Sequence, residues 1–247
     1  ATLPARTGLG SSSSFTVALM KGLAAHRGDS RTSREIAEDA CRIEIEALGE
    51  PIGKQDQYTA AFGGINVFTF NRSGKTTRRA LHLSTNAKRS LEESMVLFYT
   101  GTTRNAADVL ADQNERVPEH LEHYRELTGL VPVFADALTR GDAETMGALL
   151  AKGWKHKRLL GKDVTNPVLD ALYESACAAG AYGGKVVGAG GGGCLLFFTP
   201  RGQREPIQKV LQEEALRLRL SESRSIPVRI EPEGAQILLN TINSIKK

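Results

Sequence analysis

The chain has 247 residues and a mass of 26.7 kDa; 40% of its residues are hydrophobic and its formal net charge is +4, with an isoelectric point near 9.0. That composition supports one large domain or two modest ones with real cores, and the sequence contains no run of 18 apolar residues of the kind that crosses a membrane. The basic residues are scattered apart from Lys155, Lys157, Arg158 and Lys162, a distribution that suits small anions such as phosphates better than a nucleic-acid groove with interleaved aromatics.

Pro4 to Ser14 reads P-A-R-T-G-L-G-S-S-S-S. It runs into a segment with apolar residues at Phe15, Ala18, Leu19, Gly22 and Leu23, which predicts a helix buried on one face. A glycine and serine loop therefore opens a helix. Gly8 and Gly10 permit backbone angles that other residues resist, and the first-turn N–H groups have no intrahelical partner and point outward at the positive end of the helix dipole. Such a loop can cradle a phosphate, and one of its serine hydroxyls can also ligate a magnesium ion. The same stretch also reads as a linker followed by a serine N-cap. It is not a Walker loop, which needs Gly-Lys-Ser/Thr where Ser11 to Ser14 follow Gly10, and the protein-kinase signatures H-R-D and D-F-G are absent. The chain enters this loop within eight residues of Ala1, without the strand such a loop normally follows, so an N-terminal segment is expected to be missing. No charged-then-apolar secretory signal is present at the start, and the expected location is cytoplasmic.

Thr32-Ser-Arg-Glu35 has the pattern of a capping box and starts a second helix, to about Leu48, with an apolar stripe at Ile36, Ala40, Ile43 and Ala47. Glu44 lies in that stripe, with Ala40, Cys41, Ala47 and Leu48 three and four residues away. A carboxylate there is expected to meet a cation or a metal, since burial without a partner would cost several kcal/mol; a slight rotation of the helix would leave it at a boundary instead. Glu46 looks solvated. Asp56 precedes a short helical stretch and reads locally as an N-cap or as a functional carboxylate. Ile65 to Phe70, a turn at 71–75, and Thr76 to Ser84 read as a hairpin. Ser94 to Tyr99 reads as a buried strand, followed by a helix near Ala106 to Gln113, two helices between Pro118 and about Leu160 broken at Gly141-Asp, and another from Asn166-Pro167 to about Ala179. Gly188, Gly190 and Gly193 satisfy the dinucleotide-binding spacing, but that fingerprint opens a helix, whereas this cluster runs into the strand Cys194 to Thr199. The two flanking segments instead form a hairpin whose glycine tip lets something approach its backbone closely. A helix from about Gln203 to Leu220, a strand from Ile226 to Ile230 and a polar tail end the chain. Cys41, Cys177 and Cys194 are far apart without histidine at metal spacing and suit buried thiols in a reducing compartment. The mixture argues α+β, with a boundary near Lys88.

Three stretches carry a resemblance: P-x-x-x-G-L-G-S-S-S, then E-I-E-A-L-G-E-P-I-G-K-Q-D-Q-Y followed by A-A-F-G-G, and K-V-V-G-A-G-G-G-G-C. Together they resemble the GHMP kinases, the superfamily of galactokinase, homoserine kinase, mevalonate kinase and phosphomevalonate kinase. With F-Y-T-G-T-T-R-N-A and W-x-x-K-R-x-L, the wording is most similar to the heptose 7-phosphate kinase branch. The resemblance implies an α+β, two-domain GHMP kinase fold: residues 1–88 as a ribosomal S5 domain 2-like N-terminal part lacking its start, and residues 89–247 as a ferredoxin-like C-terminal domain. It implies ATP and Mg2+ as cofactors. Pro4, Gly8, Leu9, Gly10, Ser11, Ser12, Ser13 and Ser14 would hold ATP, with Ser12 or Ser13 on magnesium beside Glu44. Asp56 falls on the family's catalytic aspartate. Lys54, Gln57, Arg104, Lys157, Arg158, Gly190, Gly191 and Gly192 would bind the substrate, the basic residues gripping a phosphate remote from the reacting hydroxyl. The expected reaction is phosphorylation of the anomeric hydroxyl of a heptose 7-phosphate to the 1,7-bisphosphate. Another sugar 1-kinase of fucose or galactose type, and a non-catalytic nucleotide- or sugar-binding module, stay open. The expected partners are a small-molecule sugar phosphate and ATP, with no nucleic acid and no membrane; whether the protein forms a homo-oligomer also stays open.

Overall fold

Ser11–Arg27 forms the first helix, α1, entered at Gly10 in the left-handed region (φ 66°) and closed at Gly28 (φ 76°). This is a computed structural model that describes residues 7–103 and 105–238. Those residues fall into two compact units, one made of residues 7–9 and 81–230 and the other of residues 10–80 and 231–238.

In the second of these units, α1 is joined by α2 (Ser33–Cys41), which continues into a π-helical stretch over Arg42–Ala47, and by α3 (Gln55–Phe62). The capping box read from the sequence is formed in full: the Thr32 hydroxyl accepts from the Glu35 N–H, and the Glu35 carboxylate accepts from the Thr32 N–H. Val17, Ile36, Ala37, Ala40, Cys41, Tyr58 and Ala61 make the core, with Met20 and Ala24 packed against it. The hairpin follows as β1 (Ile65–Phe70) and β2 (Thr76–Leu81).

Two expectations are corrected here. The α1 stripe expected to be buried is open: Phe15 is 69% exposed, Leu19 46% and Leu23 42%. The helix instead buries Ser13 and Val17, because it is rotated to bring the serine side of its first turn onto Glu44. The second hairpin strand ends at Leu81 rather than Ser84, since Ser84 caps a helix, α4 (Thr85–Ser94), by accepting from the Ala87 N–H. That helix went unread because so little of it is apolar; only Leu91 and Ser94 are buried.

In the other unit, β3 (Met95–Tyr99), β4 (Gly183–Val186), β5 (Cys194–Phe198) and β6 (Arg224–Ile226) form an antiparallel sheet in the order β4-β5-β3-β6. The registers pair Leu97 with both Leu196 and Ile226, and Lys185 with Leu196. Helices α5 (Ala106–Glu115), α6 (Leu121–Arg140), α7 (Ala143–Lys157) and α8 (Pro167–Ala178) lie between β3 and β4 in the chain, and α9 (Arg204–Arg217) between β5 and β6. With its intervening helices this is the β-α-β-β-α-β order of ferredoxin-like sheets. Alternate strand residues Val96, Phe98, Leu195 and Phe197 join Trp154, Leu169, Leu172, Ile207 and Leu211 in the core. Asn166 and Pro167 start α8 as read: the Asn166 side chain accepts from the Val168 and Leu169 N–H groups, and proline takes the first helical position. The last strand lies over Arg224–Ile226 instead of Ile226 to Ile230, because Pro227 has no N–H to extend the ladder. The three cysteines are free, Cys41 and Cys194 buried and Cys177 half-buried. No helix among the described residues is long and apolar enough to cross a membrane.

Candidate active site

The π-helical stretch sets the position of Glu44. One extra residue per turn, closed by the Leu48 N–H donating to the Ile43 carbonyl at 2.9 Å, re-aims side chains relative to an α-helix, and such turns recur at functional sites. Glu44 is 2% exposed. Its Oε1 accepts from the Ser12 hydroxyl at 2.9 Å and the Thr16 hydroxyl at 3.3 Å; its Oε2 accepts from the Ser13 hydroxyl at 2.8 Å and the Gln57 amide at 2.5 Å. The buried carboxylate read from the helical pattern is there, but among the described residues it meets four neutral donors and no cation. Burial of a charge is tolerated when its lone pairs are satisfied in this way.

Asp56 stands in the first turn of α3, whose N-cap is Lys54, so Asp56 is not the cap. Its side chain packs on Gly10: a β-carbon there would lie 3.1 Å from the Asp56 carboxyl carbon and 3.2 Å from Oδ2. Burial, with the nearby Glu44 charge adding to it, holds the Asp56 carboxyl above the usual aspartate range, against a lowering contribution from Gln55. The adjacent Gln57 is fully buried, and its Oε1 has no hydrogen-bond partner among the described residues. The first turn of α1 contains no acidic residue, and its N-cap supplies no side-chain acceptor. The unit thus brings together Gly10, Ser11 to Ser14, Glu44, Asp56 and Gln57, with exposed Lys54 at the head of α3.

In the other unit, Thr7 and Gly8 lie against the glycine tip between β4 and β5. A β-carbon on Gly8 would be 2.7 Å from the Val187 carbonyl oxygen, one on Gly188 2.7 Å from the Gly8 α-carbon, and one on Gly193 2.3 Å from the Thr7 carbonyl oxygen. The two glycine loops therefore meet backbone to backbone, which only glycine allows. Gly190, Gly191 and Gly192 form the tip. Lys157 reaches the Gly188 carbonyl, while Arg158 pairs with Asp170 at 2.9 Å, a carboxylate that also accepts from the Thr165 hydroxyl. Leu9 is half-buried; Pro4 and Arg104 lie outside the described residues. Sequence reading missed Thr16, although it lies one helical turn beyond Ser12 on the same side. It also missed that the Gln113 and Asn166 side-chain amides donate to the Ala189 and Gly191 carbonyls of the tip, 76 and 25 residues away in the chain, contacts with no local signal.

The GHMP kinases N terminal domain matches residues 1–64, and the GHMP kinases C terminal domain matches residues 134–216. A D-glycero-alpha-D-manno-heptose 7-phosphate kinase of Campylobacter jejuni subsp. jejuni is 33% identical over 214 residues, covering 86% of this chain and 63% of the relative. The crystal structure of a D-glycero-D-manno-heptose 1-phosphate kinase from Bacteriodes thetaiotaomicron superimposes with a TM-score of 0.67 at 25% identity, over 96% of this chain and 66% of that one. Lactococcus lactis galactokinase complexed with galactose shares the fold, with a TM-score of 0.75 at 17% identity over 96% of this chain and 69% of that one. The chain belongs to the GHMP kinases and has their two-domain fold. It spans less than two thirds of the length of the Campylobacter relative.

Proposed function

We propose that the protein is an ATP-dependent phosphotransferase acting on a sugar hydroxyl, and specifically that it phosphorylates the anomeric hydroxyl of a heptose 7-phosphate to give the 1,7-bisphosphate. The observation that carries the reading is Asp56: a carboxyl held above its ordinary range, packed on Gly10 at the open, unacidic N-terminus of α1. A phosphate at that N-terminus meets unpaired N–H groups and the positive end of the helix dipole. The attacking sugar oxygen forms its bond to the terminal phosphorus as the bond from that phosphorus to the leaving ADP oxygen breaks, and the hydroxyl proton passes to the Asp56 carboxylate. Base assistance of this kind is worth on the order of 10² to 10⁴ in rate; positioning and charge stabilisation supply the rest.

Two carboxylates beside an anion site repel a triphosphate unless a cation stands between. The Glu44 carboxylate, the Ser12 and Ser13 hydroxyls and the orphaned Gln57 amide oxygen make a hard-oxygen set suited to Mg2+. Glu44 and Ser12 would hold the ion, which when bound neutralises phosphate charge. Ser11 to Ser14 and Gly8 to Gly10 would hold the ATP phosphates, the tip from Gly190 to Gly192 the substrate, and Arg158 the remote phosphate, with cytoplasmic ATP as donor. The heptose assignment rests on the Campylobacter relative.

The test is ADP release by the entire gene product with ATP and Mg2+, comparing heptose 7-phosphate with galactose, fucose and mevalonate. Turnover with the heptose phosphate alone supports the proposal. Turnover with a free sugar keeps the mechanism and replaces the substrate, and silence on all four favours a non-catalytic binding module. Arg158→Gln is expected to raise the KM for the sugar phosphate about tenfold or more while leaving that for ATP within about twofold; equal changes in both would remove Arg158 from substrate recognition.

A further inference from the structure

The tip between β4 and β5 carries almost no side chains of its own with which to hold a shape. Three of its carbonyls are nevertheless held by side chains from three separate helices. Lys157, at the end of α7, donates to the Gly188 carbonyl. Gln113, in α5 and 6% exposed, donates to the Ala189 carbonyl at 3.1 Å. Asn166, the N-cap of α8, donates its amide to the Gly191 carbonyl at 3.1 Å while its oxygen accepts from the Val168 and Leu169 N–H groups. Both ends of that amide are used, so its orientation is fixed. The Gly191 N–H donates to the Val164 carbonyl at 2.7 Å, and Gly193 is tied to Thr100 and Thr102. The N–H groups of Ala189 and Gly192 have no hydrogen-bond partner among the described residues.

A peptide plane has its carbonyl and its N–H on opposite sides, so fixing one aims the other. We propose that Gln113, Lys157 and Asn166 are positioning residues: they grip the Ala189, Gly188 and Gly191 carbonyls of the glycine tip and thereby aim its free amides at an anion, the phosphate group being transferred. The proposal rests on the phosphotransfer reading above for the identity of that anion, but not for the grip itself. Glycines free to take left-handed angles, such as Gly190 (φ 107°), Gly191 (φ 70°) and Gly193 (φ 84°), build concave amide nests that suit anions. Without an external grip the same freedom would scatter those amides. Amides fixed in advance do not reorganise as charge develops, which is where such donors act on rate.

The experiment compares Gln113→Leu, Lys157→Met and Lys157→Arg with the parent protein, by steady-state kinetics, thermal melts and amide hydrogen exchange over residues 188–193. The expected result for the first two is a kcat lower by about 10²-fold, KM values for ATP and sugar phosphate within about threefold, melting close to the parent, and faster exchange in the tip. Lys157→Arg, which keeps the donor, is expected to recover most of the kcat. A kcat within about twofold of the parent, or a rise confined to the KM for the sugar phosphate in Lys157→Met, overturns the proposal, the latter by assigning Lys157 to the substrate. If the parent itself shows no turnover, the phosphotransfer reading fails and exchange alone decides: faster exchange in both variants upholds the grip, and unchanged exchange overturns it.

Discussion

Asp56 is tuned against its own stability. Its folded-state pKa is raised by burial and by Glu44, so between the ordinary aspartate value and the raised one the folded protein keeps a proton that the unfolded chain releases. The stabilisation this gives is complete below the ordinary value and is lost as pH rises through the folded value. At neutral pH the ionised group therefore destabilises the fold. Asp56→Asn is expected to raise Tm at pH 7, with the gain shrinking in acid, while turnover falls by about 10² to 10⁴; a lower Tm at neutral pH would contradict the account. If Asp56 takes the hydroxyl proton as proposed, the same shift is expected to place the acid limb of the kcat/KM profile at higher pH than a solvent-exposed aspartate would give. Gln57 acts on the neighbouring carboxylate. Gln57→Leu deprives Glu44 of its 2.5 Å donor and is expected to destabilise by about 2 kcal/mol, or about 6 °C in Tm for a chain of this size; an unchanged melt would mean that the three hydroxyls suffice.

At the scale of elements, what was legible in the sequence had local causes. The capping box at Thr32 and the Asn166-Pro167 start were readable because the side chain and the backbone groups it satisfies are within three residues of each other. Thr32→Ala is accordingly expected to cost about 1 kcal/mol, read as a lower Tm, with no effect on nucleotide affinity. The burial of Glu44 was readable from its helical neighbours, but its partners were not: Ser12, Ser13 and Gln57 come from two other helices. The same distance limit explains the error on α1. Phe15, Leu19 and Leu23 outweigh Val17 in any local count, yet the helix is rotated by the tie from Ser13 to Glu44, 31 residues away in the chain. The helix α4 was missed for the opposite reason, having a cap at Ser84 and the ion pairs Lys88–Glu92 and Arg89–Glu93 but little apolar signal.

At the scale of the molecule, the contact of Gly8 with Gly188 joins the two glycine motifs that the sequence displays 180 residues apart. Gly8→Ala and Gly188→Ala are each expected to destabilise by roughly 1–3 kcal/mol, since each inserts a methyl group into an occupied space. Together they are expected to cost less than their sum, by about 0.5 kcal/mol or more, because one shift of the backbones relieves both clashes; strict additivity in melts of the four proteins would show that the loops do not share this contact. The contact also has a history during synthesis. Closing a loop of this length costs roughly 4–5 kcal/mol of chain entropy, and the ribosome must release the Gly188 hairpin before Thr7 and Gly8 have anything to rest on. Thr7 and Gly8 thus take their place only once β4 and the tip have been made, and a stalled nascent chain ending before β4 would hold Gly8 without the Val187 and Gly188 backbone on which it packs.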